Sequence, residues 1–407
     1  WNFINFKDWL NNNNSDGVIP SYKGFHPHSL GTTNYAYLKT NEKSVLKVQE
    51  KKPFTNNKMN ELASSGTYYF RKGDFIKRFF TKLMDEKIDV NGEYYCSLIY
   101  NLMIKENLKV GYYELEYFMQ WGTPEDLEEY KTWSKAFKSL LIKHNPIGYP
   151  KGSLVLTMAG KGKRFSDAGY KRKKPFINVS KKPMFIRAIN SMPSTEKKYL
   201  IVQGDKSLIK QLNNEIKLSS NNKGYKVRNL INPTDGQAIT CIKGLKNDVL
   251  KNPITVTACD HACLYDGETL SNYLEDKSVD IIVWGYRKHA NAIRNPHMYG
   301  WINQKENIIK SISVKKALND PSNDPIVIGT FTFQNYEILK NSINSLVKRN
   351  YKVNGEFYID SAINDAILLG YKCIFFEIEH YFCWGTPNEL KTFEYWQSCF
   401  SKWKTHS

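Results

Sequence analysis

A glycine-rich, strongly basic segment follows a short apolar run in the middle of the chain. Residues 153–158 read SLVLTM, and the sequence continues as AGKGKRF from Ala159 to Phe165. Glycines allow a backbone to approach a ligand closely, and successive N–H groups followed by Lys and Arg side chains suit a polyphosphate. The segment therefore predicts a buried strand that ends in a polyphosphate-binding loop.

Two cations in or near this loop have the chemistry that phosphate oxygens require. Arg164 offers a planar guanidinium fork, and Lys174, which precedes Pro175, offers a compact positive charge. The loop is not a Walker loop, because the pattern G-x-x-x-x-G-K-[ST] is absent, and it lacks the third glycine of a dinucleotide-binding fingerprint. The alternative interpretation is an ordinary basic surface loop.

A carboxylate follows a second apolar run. Residues 253–259, PITVTAC, lead directly into Asp260 and His261. A carboxylate at the C-terminal end of a strand in an α/β sheet faces the ligand crevice, where it can hold Mg²⁺. Asp260 is therefore a candidate metal ligand, with a satisfied strand-end Asp as the alternative, and His261 is more readily interpreted as structural.

Length and charge limit the classes of protein. The chain has 407 residues, enough for two domains, and 58 Lys+Arg against 40 Asp+Glu give a net charge of +18. The excess of lysine extends along the whole chain without an arginine-rich tract, which favours an anionic small substrate over nucleic acid. No apolar run approaches the roughly 18–20 residues of a membrane span, and the first residues lack a signal-peptide layout. We therefore expect a cytoplasmic protein.

The cysteines give no sign of a metal site or a disulfide framework. There are seven, scattered along the chain and without any C-x-x-C pair. We expect reduced thiols, most of them packed in the interior.

Strand and helix patterns alternate after residue 150. Apolar runs such as residues 198–202 (KYLIV) and 281–286 (IIVWGY) alternate with amphipathic segments such as residues 207–216 (SLIKQLNNEI). This alternation predicts an α/β domain with a mostly parallel, mixed sheet of the Rossmann-like kind, flanked by helices.

A long internal repeat divides the chain. Residues 91–95 (NGEYY) recur as residues 354–358 (NGEFY), and residues 120–127 (QWGTPEDL) recur as residues 383–390 (CWGTPNEL), both 263 residues apart. Residues 1–148 therefore correspond to the C-terminal half of a complete domain at 149–407, with a linker near 140–152. The first copy has no glycine-rich loop, and we expect it to be inactive alone.

The spacing of Gly160, Gly162, Arg164 and the Lys174-Pro175 pair resembles the sugar-nucleotide nucleotidyltransferase superfamily, the pyrophosphorylases that couple a sugar 1-phosphate to a nucleoside triphosphate. The resemblance spans residues 151–402 and, as a C-terminal half, residues 1–148. It implies the nucleotide-diphospho-sugar transferase (GT-A-like) fold. It also implies transfer of a nucleoside monophosphate with release of pyrophosphate, Mg²⁺ as cofactor, and a place in the synthesis of surface polysaccharide precursors.

The resemblance also implies roles for single residues. Catalysis is implied for Arg164 and Lys174, and metal binding for Asp260. The residues implied to bind the nucleotide are Ala159, Gly160, Lys161, Gly162, Asp235, Gly236 and Gln237. The residues implied to contact the phosphorylated substrate are Tyr299, Gly300, Lys315, Glu356 and Asp360. The implied partners are a nucleoside triphosphate and a phosphorylated sugar or alcohol, with a homo-oligomer possible.

The chain departs from the family pattern at two places. Cys383 and, in the first copy, Gln120 stand where the family often has an Asp as second metal ligand. Residues 313–317 keep Lys315 but lose the Glu and Pro of the family's Glu-Lys-Pro. These departures leave open an enzyme of the same fold that acts on a non-sugar phosphate. A non-catalytic binding or regulatory protein is the remaining alternative.

Overall fold

The computed structural model describes residues 2–31, 34–42, 44–141, 151–219, 223–246 and 250–402. The chain folds into two compact units, one comprising Trp1–Tyr130 with Tyr395–Ser407 and the other Lys131–Glu394. The predicted domain boundary at 148/149 and most of the predicted linker lie outside the described residues.

The first unit is built on a mixed sheet. Its strands are β1 (Gly17–Tyr22), β2 (Ala36–Thr40), β3 (Val45–Glu50), β4 (Leu62–Ser64), β5 (Tyr69–Phe70) and β6 (Val110–Leu115). Its helices are α1 (Phe3–Asn13), α2 (Gly73–Asp85), α3 (Cys96–Lys105) and the beginning of α4 (Pro124–Leu141). The strand order is β3-β2-β4-β1-β5, and β6 pairs with β1 in parallel. Apolar side chains of α2 and α3 pack on this sheet.

The sequence pattern does not predict α1. Its residues, FINFKDWLNNN, combine aromatic residues with asparagines, which have only modest helix propensity. Asn2 caps the N-terminus of this helix, and its side chain accepts hydrogen bonds from the backbone N–H groups of Ile4 and Asn5.

The second unit contains the larger sheet. Its strands are β7 (Ser153–Met158), β8 (Asn178–Val179), β9 (Lys182–Pro183), β10 (Lys197–Val202), β11 (Tyr225–Asn229), β12 (Ile254–Ala258), β13 (His261–Leu264), β14 (Ile281–Tyr286), β15 (Gly300–Lys305), β16 (Ile308–Val314), β17 (Ile326–Phe333), β18 (Cys373–Glu377) and β19 (His380–Cys383). Its helices are α5 (Lys163–Asp167), α6 (Met184–Ser191), α7 (Lys206–Leu218), α8 (Gln237–Leu245), α9 (Gly267–Glu275), α10 (Ala290–Arg294), α11 (Tyr336–Lys348), α12 (Ile359–Leu368) and the beginning of α13 (Pro387–Lys402).

The nine-stranded sheet of this unit has the order β11-β10-β7-β12-β17-β14-β18-β16-β15. Strands β10, β11, β7 and β12 pair in parallel, as do β14 and β18, whereas β16 and β17 run in the opposite direction to their neighbours. The predicted α/β class, with a mostly parallel mixed sheet flanked by helices, is therefore confirmed.

Side chains of β7 show why helices cover both faces of this sheet. Leu154 and Leu156 pack into the core beneath α6 and α7, while Val155 between them points into the core beneath α8, α11 and α12. A strand that is buried on both faces is apolar at successive positions, which explains the consecutive Leu154, Val155 and Leu156.

Parallel pairing brings two predicted segments to one edge of the sheet. Strands β7 and β12 are neighbours in parallel, with Thr157 opposite Ala258. The residues that follow β7 (159–162) and those that follow β12 (259–260) consequently leave the sheet at the same C-terminal edge, next to each other.

Several features recur in both units at nearly constant sequence offset. Helices α2 and α11 begin 263 residues apart, and so do α3 and α12. In the first unit, the Asn101 side chain exchanges two hydrogen bonds with the backbone of Val48, at 2.8 and 2.9 Å. In the second, Asn364 does the same with Ile312, at 2.7 and 2.9 Å. These matches support the internal duplication, which remains a proposal.

Two expectations from composition can be compared with the structure. All seven cysteines are free thiols, and five of them are buried. In the described ranges, none of the helices combines the length and the apolar content that a bilayer crossing requires.

Candidate active site

The glycine-rich loop turns sharply after β7. Gly162 has a φ of +64°, in the left-handed region that favours glycine, and a Cβ atom there would lie 3.1 Å from the Lys174 Cβ. Glycine at this position therefore permits both the turn and the close approach of the segment that carries Lys174. Lys161 and Gly160 are exposed, and Ala159 is half-buried.

Lys174 and Asp260 form an ion pair beside this loop. The Lys174 Nζ lies 2.6 Å from the Asp260 Oδ2 and also donates to the Gly385 carbonyl at 3.4 Å. Burial alone would lower the pKa of Lys174, but the Asp260 carboxylate raises it above its usual range. Burial alone would raise the pKa of Asp260, but the charge of Lys174 and hydrogen bonds from His261 and Lys174 lower it well below its usual range. Both groups are therefore charged at neutral pH.

The loop and the ion pair line one open pocket at the C-terminal edge of the sheet. Its lining residues are Thr157, Met158, Gly160, Gly162, Lys174, Pro175, Ala258, Cys259 and Asp260. The Lys174 and Asp260 side chains are 20% and 24% exposed, so a ligand in the pocket can reach both of them. The structure thus brings together the predicted loop, the predicted catalytic lysine and the predicted metal ligand.

Gln237, in the first turn of α8, contacts Thr157, one of the residues that line this pocket. Its Nε2 donates to the Thr157 Oγ1 at 3.1 Å. The preceding Gly236 has a φ of +104°, and a Cβ atom there would lie 2.6 Å from the Phe357 carbonyl oxygen. Only glycine lets the chain pass residue 357 this closely and so bring Gln237 to Thr157.

The carboxylate of Asp235 has a different partner. It is 62% exposed and accepts a hydrogen bond from the Lys352 Nζ at 2.7 Å, which lowers the pKa of Asp235. Its carbonyl oxygen accepts from the Phe357 N–H at 2.7 Å and fixes the loop. The structure does not bring the Asp235 side chain to Lys174 and Asp260.

The predicted substrate-binding residues form a second group around Lys315. The Lys315 Nζ donates to the Met298 carbonyl oxygen. Burial lowers the pKa of Lys315, and the positive charge of Arg164 lowers it further, whereas Asp360 and Glu356 raise it. Arg164, at the start of α5, is therefore close enough to Lys315 for their charges to interact. It is exposed, and its guanidinium makes no hydrogen bond or ion pair with another described residue.

Gly300 and Asp360 are in direct contact within this second group. A Cβ atom on Gly300 would collide with the Asp360 Oδ2, so the glycine creates the space that the carboxylate occupies. Burial raises the pKa of Asp360 from 3.8 to about 6, although the Lys315 charge partly offsets this effect. Asp360 therefore keeps its proton to a higher pH than an exposed aspartate.

This raised pKa predicts a measurable effect on stability. Between pH 4 and pH 6 an Asp360 side chain in the unfolded chain loses its proton, while the folded protein retains it. The contribution of Asp360 to the free energy of unfolding should therefore fall by up to about 3 kcal/mol as the pH rises through this window. Denaturant unfolding of the wild type and of Asp360→Asn across this pH range measures the difference. A pH dependence that Asp360→Asn leaves unchanged would contradict the prediction.

Glu389 is a site residue that the sequence did not reveal. It lies in the first turn of α13 and is only 9% exposed. Its Oε1 accepts hydrogen bonds from the Tyr299 hydroxyl at 2.6 Å and from the Asn291 Nδ2 at 2.9 Å. The one local signal is Thr386 three residues earlier, which indicates a helix-capping box, and the Thr386 Oγ1 does accept from the Glu389 N–H at 3.2 Å. Tyr299, predicted to contact the substrate, directs its hydroxyl to this carboxylate.

His261 has a structural role in the described residues. It is 1% exposed, and its Nε2 lies 3.1 Å from the Thr257 Oγ1 and 2.8 Å from the Thr330 Oγ1. These hydroxyls fix the ring beneath the turn that carries Asp260.

The donor set at the pocket fits Mg²⁺, the cofactor that the resemblance implies. Among the described residues, no group of three or more His, Cys, Asp or Glu side chains is arranged so that it could hold a metal ion. Mg²⁺, however, is usually held by one or two carboxylates together with substrate phosphates and water. The partly exposed carboxylate of Asp260, in a pocket beside a basic loop, meets this requirement.

Comparisons with known proteins find similarity only among solved structures. The sequence matches no protein-family model and no curated protein. A nucleoside-diphosphate-sugar pyrophosphorylase from Vibrio cholerae RC9 is similar at 19% identity, over 59% of this chain and 98% of that chain, with a TM-score of 0.49. An inositol-1-phosphate CTP transferase from T. maritima is similar at 15% identity, over 62% of this chain and 96% of that chain, with a TM-score of 0.48. At these identities and TM-scores the likeness carries no argument about reaction or substrate, which have to be inferred from the residues of this chain.

Proposed function

We propose that the second unit is a nucleotidyltransferase. It would transfer a nucleoside monophosphate from a nucleoside triphosphate to a sugar 1-phosphate, or to a similar phosphate ester, and release pyrophosphate. The observation that carries this proposal is the Lys174–Asp260 ion pair at 2.6 Å, placed beside a glycine-rich basic loop at the C-terminal edge of two parallel strands. Such an edge is where α/β sheets bind nucleotides.

The residues of the pocket can provide what phosphoryl chemistry needs, which is positioning and charge neutralisation rather than a covalent nucleophile. In the proposed reaction an oxygen of the acceptor phosphate attacks the α-phosphorus in line, and pyrophosphate leaves. Lys174 and Arg164 would donate to the phosphate oxygens on which charge develops. Mg²⁺, held by Asp260, would neutralise phosphate charge.

The two groups of residues divide the proposed substrates between them. Gln237, beside Thr157, lies on the side of the glycine-rich loop and would contact the nucleotide. Lys315 lies with Asp360 and Glu356 and would hold the phosphate of the acceptor. Arg164 is near Lys315 and also belongs to the glycine-rich loop, so it would act where the two phosphates meet.

The residues around Lys315 indicate the chemical class of the acceptor that we propose. Partly buried Lys315 and Tyr358, whose ring lies 5.8 Å from the Lys315 Nζ, suit a phosphate attached to a hydroxylated ring. We favour a sugar 1-phosphate destined for surface polysaccharide. A polyol or amino-alcohol phosphate is the second candidate, because residues 314 and 317 depart from the family pattern next to Lys315.

The first unit is proposed to be inactive by itself. At the position that corresponds to Cys383 it has Gln120, whose Nε2 donates to the Asp126 Oδ2 at 2.6 Å. The other oxygen of Asp126 lies 2.5 Å from the His28 Nδ1. Both carboxylate oxygens thus have protein partners, and neither is available for a cation or a substrate.

A pyrophosphate-release screen tests the proposed function. The full chain is incubated with Mg²⁺, with each of the common nucleoside triphosphates, and with a panel of sugar 1-phosphates and alcohol phosphates. We expect release that requires both one triphosphate and one phosphate ester. The absence of release with every pair, together with no triphosphate binding by calorimetry, would contradict the proposal and favour a non-catalytic protein.

A further inference from the structure

The second carboxylate oxygen of Glu389 points to the same place as Asp260. A Cβ atom built on Gly385 would lie 3.2 Å from the Glu389 Oε2 and 3.3 Å from the Asp260 Oδ2. The two oxygens therefore flank one point, although Asp260 follows β12 and Glu389 belongs to α13. The absence of a side chain at Gly385 leaves this point open.

Glu389 is held in a fixed orientation at this point. Its Oε1 takes both hydrogen bonds, from Tyr299 and Asn291, whereas no described residue donates a hydrogen bond to its Oε2. The Glu389 side chain is nine-tenths buried, and its Oε2, which accepts no hydrogen bond from a described residue, is available to a cation or to a donor from a ligand.

The Lys174 ammonium group is a positive charge close to this point. The Lys174 Nζ contacts the Asp260 Oδ2 at 2.6 Å and the carbonyl oxygen of Gly385 at 3.4 Å. Two carboxylates so close together repel each other unless positive charge lies between them. In the absence of a ligand, the ammonium group of Lys174 supplies positive charge to the Asp260 carboxylate.

We propose that Asp260 and Glu389 together form a divalent-cation site, and that Lys174 occupies its position until the cation binds. This inference rests on the proposed function and deepens it. In this proposal, binding of the cation replaces the hydrogen bond between the Lys174 Nζ and the Asp260 carboxylate. The Lys174 ammonium is then available for a phosphate oxygen of the triphosphate. One residue thus neutralises the unliganded site and later contacts the substrate.

The same geometry explains how the chain can lack a carboxylate at residue 383. The Cys383 Sγ would lie 3.5 Å from a Cβ on Gly385, so it faces the same point as the two carboxylates. A thiol is a soft donor, whereas Mg²⁺ and Mn²⁺ prefer carboxylate oxygens. Glu389 therefore supplies from helix α13 the hard donor that β19 does not provide.

Binding of Mn²⁺ alone to the full chain, measured by electron paramagnetic resonance in the absence of nucleotide, tests this inference. We expect Glu389→Gln to weaken Mn²⁺ binding at least about tenfold, since even outer-shell changes cost 10–100-fold. Lys174→Met should strengthen it several-fold, because the competing ammonium is gone. Glu337→Gln, which makes the same charge change at an exposed residue paired with Lys340, should bind like the wild type.

A rescue variant and a folding control complete the design. In the double variant Glu389→Gln/Cys383→Asp, a carboxylate is restored beside the same point, and the affinity for Mn²⁺ should recover. If Glu389→Gln does not fold by circular dichroism, Glu389→Asp keeps the charge but withdraws the carboxylate by one methylene, and the same loss is expected.

Two results would overturn the inference: no Mn²⁺ binding by the wild type, or wild-type affinity in the folded Glu389 variant. Neither would refute the proposed function, because nucleotidyl transfer is assayed separately by pyrophosphate release. Failure of the transfer assay with intact Mn²⁺ binding at Glu389 would refute the proposed function and leave the cation site in place.

Discussion

Lys174→Met is expected to lower the rate of nucleotidyl transfer by on the order of 10²–10³, the usual effect of removing one donor to developing negative charge. The Lys174 ammonium lines the pocket beside the glycine-rich loop and is 20% exposed, so it can reach a bound phosphate. Methionine keeps an apolar stem of similar length and removes the charge, which in the wild type lies 5.7 Å from the centre of the Phe165 ring. Steady-state kinetics with the triphosphate and ester that react best gives kcat and kcat/KM.

The neighbouring lysine provides a matched control for this variant. Lys173 is exposed and makes the same charge change when replaced by methionine, without belonging to the pocket. Lys173→Met should keep wild-type kinetics. Equal activity of Lys174→Met and Lys173→Met would show that Lys174 has no part in the reaction.

Lys174→Met should change the transfer rate and the affinity for Mn²⁺ in opposite directions, which loss of a merely structural lysine would not do. Its transfer rate should fall, while its affinity for Mn²⁺ in the absence of nucleotide should rise. A lysine that only stabilised the fold would lower both quantities together.

Asp260→Asn is expected to lower the transfer rate by at least on the order of 10²–10³, because the carboxylate supports the metal that neutralises the phosphates. Asparagine keeps the size of the side chain and an oxygen, but it lacks the negative charge. The variant also removes the partner of Lys174, whose pKa should fall, because burial lowers it and the carboxylate no longer offsets this effect. Kinetics at saturating Mg²⁺ and across a Mg²⁺ titration measure the loss in rate and in metal dependence.

Asp276→Asn is the control for this second variant. Asp276 is exposed, and an asparagine oxygen can still accept the hydrogen bond from the Ser278 N–H that the carboxylate accepts at 2.8 Å. It should react at the wild-type rate. Wild-type rate and wild-type Mg²⁺ dependence in Asp260→Asn would contradict the proposal that Asp260 holds Mg²⁺.

The part of the candidate site whose spatial arrangement could be predicted from the sequence depends on strand ends. Lys174 and Asp260 are 86 residues apart. Asp260 follows β12, Lys174 follows the loop after β7, and these two strands pair in parallel. Short, mostly apolar runs identify such strands, and the geometry of parallel sheets then places the residues that follow them at one edge. The glycine at 162 could be predicted as well, because its left-handed backbone is a local property.

The parts that the sequence did not predict depend on contacts between distant elements. Glu389 reads locally as a helix-capping residue, and only the packing of α13 against the segment around Tyr299 turns its carboxylate toward the pocket. Asp235 was predicted at the nucleotide, but a lysine more than a hundred residues later holds its side chain. No local sequence pattern predicts that Tyr299 donates to Glu389 or that Lys352 donates to Asp235.

Phosphorus NMR of the complete reaction tests the central claim most directly. The full chain is mixed with Mg²⁺ and with the triphosphate and phosphate ester selected by the pyrophosphate screen, and Asp260→Asn serves as the blank. The account predicts equal amounts of two products, free pyrophosphate and a nucleotide joined to the ester through a new phosphoanhydride bond. Formation of nucleoside monophosphate or diphosphate without that bond, or no consumption of any triphosphate, would contradict it.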